Sequence, residues 1–429
     1  MSRDERSLRF LLFVIAVLFV LQQSGLQVID YLPRLAIRTA QAILVGSFLL
    51  LALWGMANYT RLPKFHARLI AVWAALNVFY GIGDLLFGSI APLFHFESIV
   101  FALAVIPLIR DWGMWVSMMR GLFWGGIVLM ALNMVPLLHW AGWVDLRPEI
   151  VPRLIETDVD LSHLDPYSFG IFGHTENHLI LGRFSGRLQG WSLEPLHWGY
   201  FVLLTLACGL LLQTLHASRQ RKLFYRMFFV LIAVHAYFVN SASVYLTLAI
   251  WFVSMAVFVT TRRWNWLAYR QNYLFLALMI SIGLILPFLL LLIPHAEQLF
   301  YTEQVIGKGS NWESKLGFFQ LGSQLFTRFL PMDMSHIEVS HNLILSTYIT
   351  YGYFLIIPLF GFILWYCRRA VQDQPLGVAA ASLLTLVTHL FLAPSFLFYP
   401  SGVLFMSFAM VVPSGYLHSQ GVSSNKVVI

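Results

Sequence analysis

Charge is scarce in this sequence. Lys, Arg, Asp and Glu make up 11% of the 429 residues, where a soluble domain carries about 25%. Hydrophobic residues make up 59% and mean hydropathy is +0.74. A soluble chain of this length would leave most of that apolar surface with nowhere to go. Cysteine is almost missing: Cys208 and Cys367 are the two present, both near predicted cytoplasmic helix ends, so neither a disulfide framework nor a thiolate metal site is expected. GxGxxG, Walker and zinc spacings are absent, as is any internal repeat, and no cofactor or metal is implied. The net charge of +7 comes from basic residues scattered between apolar runs. They form no stripe on a soluble domain, so nucleic acid is excluded as a partner. No small-residue cleavage site cleanly follows the first apolar run, Phe10 to Leu21, which reads as a retained helix rather than a signal peptide.

What is abundant is apolar and aromatic. Aromatic residues reach 16%, with 14 Trp and 36 Phe, a content suited to a protein that meets both lipid tails and headgroups. A spanning helix needs about 20 mostly apolar residues. Runs that qualify, two of them short, are 8–27, 36–58, 67–88, 96–109, 121–140, 196–215, 223–240, 244–261, 272–293, 342–366, 375–393 and 396–414. The expected fold class is therefore all-α: a polytopic helical membrane protein with about twelve transmembrane helices.

The basic residues set the orientation. With the N-terminus inside, 18 of the 27 Lys and Arg fall on inner segments and nine on outer ones, and every inner connection is basic. Both termini come out cytoplasmic. The predicted organisation is 1–140 with five helices, an outer loop at 141–195, four helices in 196–293, a large outer loop at 294–340, and three helices with a cytoplasmic tail in 341–429. Loops beyond about 12–15 residues are usually functional or disordered. These two carry Trp143, Tyr167, Trp191 and Trp312 among polar residues, so they are expected to fold against the bundle. Apolar residues near helical spacing predict an amphipathic outer helix over 311–329.

Two constellations carry chemistry. Arg183, Gly186, Arg187, Gly190, Glu194, Pro195 and His197 fall within 15 residues where the first outer loop enters a helix. An Arg fork grips phosphate bidentately, and glycines let backbone approach a ligand. Pro195 suits a first helical turn, where Glu194 and His197 share a face. Interfacial anchoring accounts for the same residues, and on composition alone the two readings stand level. The second constellation is Ser340-His341-Asn342, which opens a helix on its outer side. An imidazole there suits a general base, or simply caps the helix. Lys315 and Arg328 lie on the amphipathic outer helix and, taken singly, read as a solvated basic face. Asp84, His235, Asn240, Ser241, Ser243 and His389 fall inside the apolar runs, where polar groups are costly and often functional. Asp84 reads equally well as a structural partner of Arg38.

Arg187-x-x-Gly190-x-x-x-Glu194-Pro195-x-His197 resembles the outer-loop signature of the bacterial O-antigen polymerase and O-antigen ligase superfamily. His341-Asn342-x-x-Leu345, with Gly352 about ten residues on, resembles that superfamily's second motif, and a large periplasmic loop separates the two as in the family. Lys315 lies where relatives often carry an Arg-bearing helix. The resemblance covers about residues 120–370. Ligases often carry a Ser-Arg pair near the position where this chain reads Asn240-Ser241-Ala242-Ser243, and the Glu-Pro-x-His element is closer to polymerases.

The resemblance implies a GT-C-like, metal-independent glycosyltransferase of the bacterial inner membrane with its active site facing the periplasm. The implied donor is a glycan on undecaprenyl diphosphate, and the implied product is O-antigen or exopolysaccharide. A chain-length regulator and a flippase are the implied partners. By the same resemblance, Arg187, with Arg183, Lys315 or Arg328, holds the diphosphate. His341 is the first choice of base and Glu194 the second, with His197, Asn342 and Gly190 in support. Transfer to lipid A-core by a ligase is the alternative. A lipid-linked oligosaccharide flippase is the alternative of another class, and would be expected to show internal repeats.

Overall fold

The structure, a computed structural model, describes residues 3–24, 64–86, 112–147, 149–150, 166–180, 183–190, 195–215, 219–263 and 376–391, with isolated positions elsewhere. This part is mostly helical. Its elements are α1 (Arg3–Ser24), α2 (Lys64–Leu86), α3 (Trp112–Leu132), α4 (Val135–Trp140), β1 (Glu149–Ile150), β2 (Pro166–Ser168), a 3-10 turn (Gly170–Phe172), β3 (His174–Ile180), β4 (Arg183–Gly190), α5 (Pro195–Leu215), α6 (Arg219–Val239), α7 (Ala242–Arg263) and α8 (Leu376–Phe391). Two helical stretches, Gly113–Trp140 and Lys222–Val239, are long and apolar enough to cross a membrane. The helices expected at 36–58, 96–109, 272–293, 342–366 and 396–414, and the amphipathic helix at 311–329, lie outside the described residues but for isolated positions.

Two compact units divide the chain, one from Met1–Leu44 and Gly113–Leu248, the other from Val45–Trp112 and Ala249–Ile429. In the first, α1 buries Leu12, Ala16 and Val20, one stripe at four-residue spacing. It meets α3 at Gly121 and Gly125, where an added Cβ would run into the Phe13 carbonyl and Ala16, or crowd Val20. This small-xxx-small spacing lets two backbones approach. Further along, α3 and α6 interlock through edge-to-face rings: Phe123 with Tyr225 at 5.3 Å, and Trp124 with Phe228 at 5.2 Å between centroids. Such pairs contribute roughly 0.5–1.5 kcal/mol each beyond area burial. Cys208, also in this core, lies 3.9 Å from the Met119 sulfur.

In the second unit α2 buries Ile70, Trp73 and Asn77. The last fifteen residues of α7, Ala249–Arg263, belong to this unit, and the Trp251 indole N–H donates to the Ala380 carbonyl of α8 at 3.0 Å. Buried Ser254, Thr385 and Thr388 each donate to the carbonyl four residues back. A hydroxyl satisfied within its own helix costs little to bury in an apolar bundle.

Two features differ from the sequence reading. The helix expected to start at 121 starts at Trp112, so Arg120 lies within it, half-buried, rather than in a connecting loop. A single Arg interrupts the apolar run without interrupting the helix, because Met114, Trp115, Met118 and Met119 before it and Leu122 and Phe123 after it are buried. The second difference is a sheet. Part of the 141–195 segment folds as four antiparallel strands in the order β1-β2-β3-β4, so the described region is not purely α.

Candidate functional site

The sheet rests on the ends of three helices, and each seat has a physical cause. The first lies at the end of α3. Pro136 has no N–H to give the Leu132 carbonyl, and its ring forbids a straight continuation. The helix breaks at Asn133-Met134, where the Met134 N–H turns to the Ala131 carbonyl. Asn133, fully buried at the break, donates its amide to the Phe172 carbonyl at 3.0 Å. His139 of α4 stacks edge-on against Phe169 at 5.4 Å. The break therefore provides two of the contacts that hold the 3-10 turn.

The second seat lies at the start of α5. Strand β4 pairs with β3 from Ile180↔Arg183 to His174↔Gly190, and the register shifts between His174 and Thr175 so that Gln189 is bulged out. Gly190 ends the strand with φ +59°, a left-handed conformation that favours glycine. Its α-carbon faces the buried Trp198 ring, which a Cβ would strike. The Gly190 carbonyl accepts from His174 Nδ1 at 3.4 Å.

Beneath Trp198 lies His235 of α6, fully buried. Its Nε2 is 2.8 Å from the Met130 carbonyl, and its Nδ1 is 3.4 Å from the Trp198 indole nitrogen. A carbonyl only accepts and an indole N–H only donates. The ring is therefore the neutral Nε2–H tautomer, joining α3, α5 and α6 at one point. The Met130 carbonyl has lost its helical donor at the Asn133 break, so His235 supplies what the break removed.

The third seat lies where α6 gives way to α7. Arg187 of β4, only 5% exposed, donates Nε–H to the carbonyl of Val239 at 3.3 Å. Val239 is the last residue of α6, where unpaired carbonyls carry partial negative charge that favours a cation. Asn240 then turns the chain with φ +47°, a conformation Asn tolerates. The Ser241 carbonyl accepts from the N–H groups of Val244 and Tyr245 in the first turn of α7, and its buried hydroxyl has no hydrogen-bond partner among the described residues. Tyr245 on the next turn reaches back to the Tyr237 carbonyl at 2.7 Å. A guanidinium and the amide end of α7 thus meet at one corner, and both favour negative charge.

Of the motif residues singled out in the sequence, Arg187 and Gly190 both lie on β4, eight and five residues ahead of Pro195, Arg187 on Val239 and Gly190 on Trp198. Arg183 lies at the far end of β4, paired with Ile180, and His197 lies in the first turn of α5 behind Pro195. Glu194, His341, Asn342, Lys315 and Arg328 lie outside the described residues. Among the described residues there is no cluster of His, Cys, Asp or Glu able to hold a metal ion. Sequence reading missed Asn133, His174, Gln189 and Trp198. The one signal for them was Asn133-x-x-Pro136 inside an apolar run, which marks a broken helix with carbonyls to satisfy.

No family model, no curated protein and no solved structure matches this chain.

Proposed function

We propose that this chain is a twelve-helix glycosyltransferase of the bacterial inner membrane. It polymerises oligosaccharide repeat units carried on undecaprenyl diphosphate, on the periplasmic side. The observation that carries the reading is the placement of Arg187. The residue heading the motif that resembles the O-antigen polymerase and ligase superfamily is buried where a folded outer segment meets two helix ends. A fixed cation in a low-dielectric corner stabilises developing negative charge far better than one in water.

The reaction needs two things. The acceptor sugar hydroxyl attacks the anomeric carbon of the donor glycan as the bond from that carbon to diphosphate oxygen breaks. The leaving undecaprenyl diphosphate takes the bonding electrons and is held by Arg187, with Arg183, Lys315 or Arg328. The hydroxyl proton passes to His341 or, failing that, to Glu194. Attack opposite the leaving group inverts the anomeric centre. No metal is required for these steps.

The test is direct. Purified full-length protein is incubated with a lipid-linked repeat unit, with and without lipid A-core. A ladder of products supports the polymerase. Transfer to core lipid alone makes it a ligase, and lipid flipping without either product makes it a transporter.

A further inference from the structure

Helix α4 closes with Gly142 at φ +75°, while the N–H of Trp143 bonds the Leu138 carbonyl and the N–H of Gly142 bonds the His139 carbonyl. This is the Schellman arrangement, which fixes the residue after the glycine and normally folds an apolar side chain there back onto the helix. Trp143 does not fold back. Its backbone is held, yet it is 79% exposed. Trp140, one turn earlier, is 38% exposed, and Ile171 at the tip of the 3-10 turn is 59% exposed. The segments bearing these residues are tied together by the His139–Phe169 ring contact and the Asn133–Phe172 hydrogen bond. Asp145 and Arg147 flank them, both exposed.

We propose that Trp140, Trp143 and Ile171 form a foot lodged in the lipid headgroup layer, on the side of the membrane that carries the sheet. Three observations point to lipid rather than to another occupant. The patch begins where the apolar stretch Gly113–Trp140 ends, so it continues a surface already suited to hydrocarbon. Indole rings have an apolar body and one N–H, the chemistry enriched at membrane interfaces. The charged flank keeps the patch from sinking further, since charge deep in a bilayer is costly. The foot pins the sheet against the bilayer, so that a lipid-borne substrate meets the Arg187 corner without leaving its leaflet. That last consequence rests on the proposed function, whereas the foot itself does not.

The experiment uses full-length protein in lipid nanodiscs. An environment-sensitive fluorophore is attached at Trp143→Cys, at Ile171→Cys and, as a reference, at Val230→Cys on the exposed face of α6. Labelling of the unsubstituted protein, with its two cysteines, gives the background. Emission at 143 and 171 should shift to the blue and be quenched more by a headgroup spin label than by one near the acyl-chain end. Position 230 should show the reverse order. If 230 behaves this way while 143 and 171 are quenched by aqueous iodide alone, or by nothing, the foot is wrong and the membrane reading survives. If no lipid quencher acts at 230 either, both are wrong. Failure of the glycan ladder with the expected quenching pattern removes the enzyme and leaves the foot.

Discussion

The α-carbon of Gly190 lies against the face of the Trp198 indole, so close that no side chain fits between them. This contact seats the sheet on α5, and φ +59° at Gly190 adds a conformational demand to the steric one.

Gly190→Ala should therefore destabilise the protein by about 2–4 kcal/mol, combining the left-handed cost with overpacking. Thermal unfolding in detergent measures it. Adding Trp198→Phe should recover the steric part and leave the backbone part, so the two substitutions will not add. Strict additivity would mean the two residues do not touch.

Arg187→Ala should abolish glycan assembly, and Arg187→Lys should leave partial activity at most. Lysine has no Nε–H to place on Val239 and no planar fork. Losing a buried hydrogen bond made by a charged group costs roughly 1.5–3 kcal/mol, so both variants should also melt earlier. Normal glycan from Arg187→Ala at normal expression would reduce Arg187 to an anchor of the sheet.

His235 presents one donor and one acceptor to fixed partners. His235→Phe keeps the bulk but strands the Met130 carbonyl and the Trp198 N–H, each costing about 1–3 kcal/mol. His235→Gln offers an amide that donates and accepts, and should be the more stable of the two. A Phe variant as stable as Gln would show that the ring packs without its hydrogen bonds mattering.

His341→Ala should lose turnover by about 10²–10⁴-fold, the usual effect of removing a positioned base, while donor binding is retained. Donor affinity and turnover are measured together on purified protein. If His341→Arg is active, or if binding falls in step with turnover, the residue grips phosphate and Glu194 becomes the base.

The helices were legible because each needs one continuous apolar run, and α1, α2, α5, α6, α7 and α8 begin and end within about five residues of the runs that announce them. The start of α3 was hidden by Arg120, whose charge interrupts hydropathy but not a helix whose other faces are buried. The sheet was hidden for a different reason. His174–Ile180 and Arg183–Gly190 are mostly polar, with Leu179, Ile180, Phe184 and Leu188 their only aliphatic or aromatic hydrocarbon side chains and no alternation of apolar and polar residues. These strands are held by their pairing and by helix ends distant in sequence, which no local window contains. Arg187 and Gly190 could be chosen from the motif alone. That Arg187 holds Val239, 52 residues on, could not.

That distance also sets an order of events in biosynthesis. Arg187 leaves the ribosome ahead of α5 and α6, and the carbonyl that accepts its Nε–H belongs to the final residue of α6. The strand cannot settle until both helices have formed and folded back on each other. The corner that concentrates positive charge is thus among the last parts of this unit to assemble, and a mis-inserted helical pair would leave no site at all.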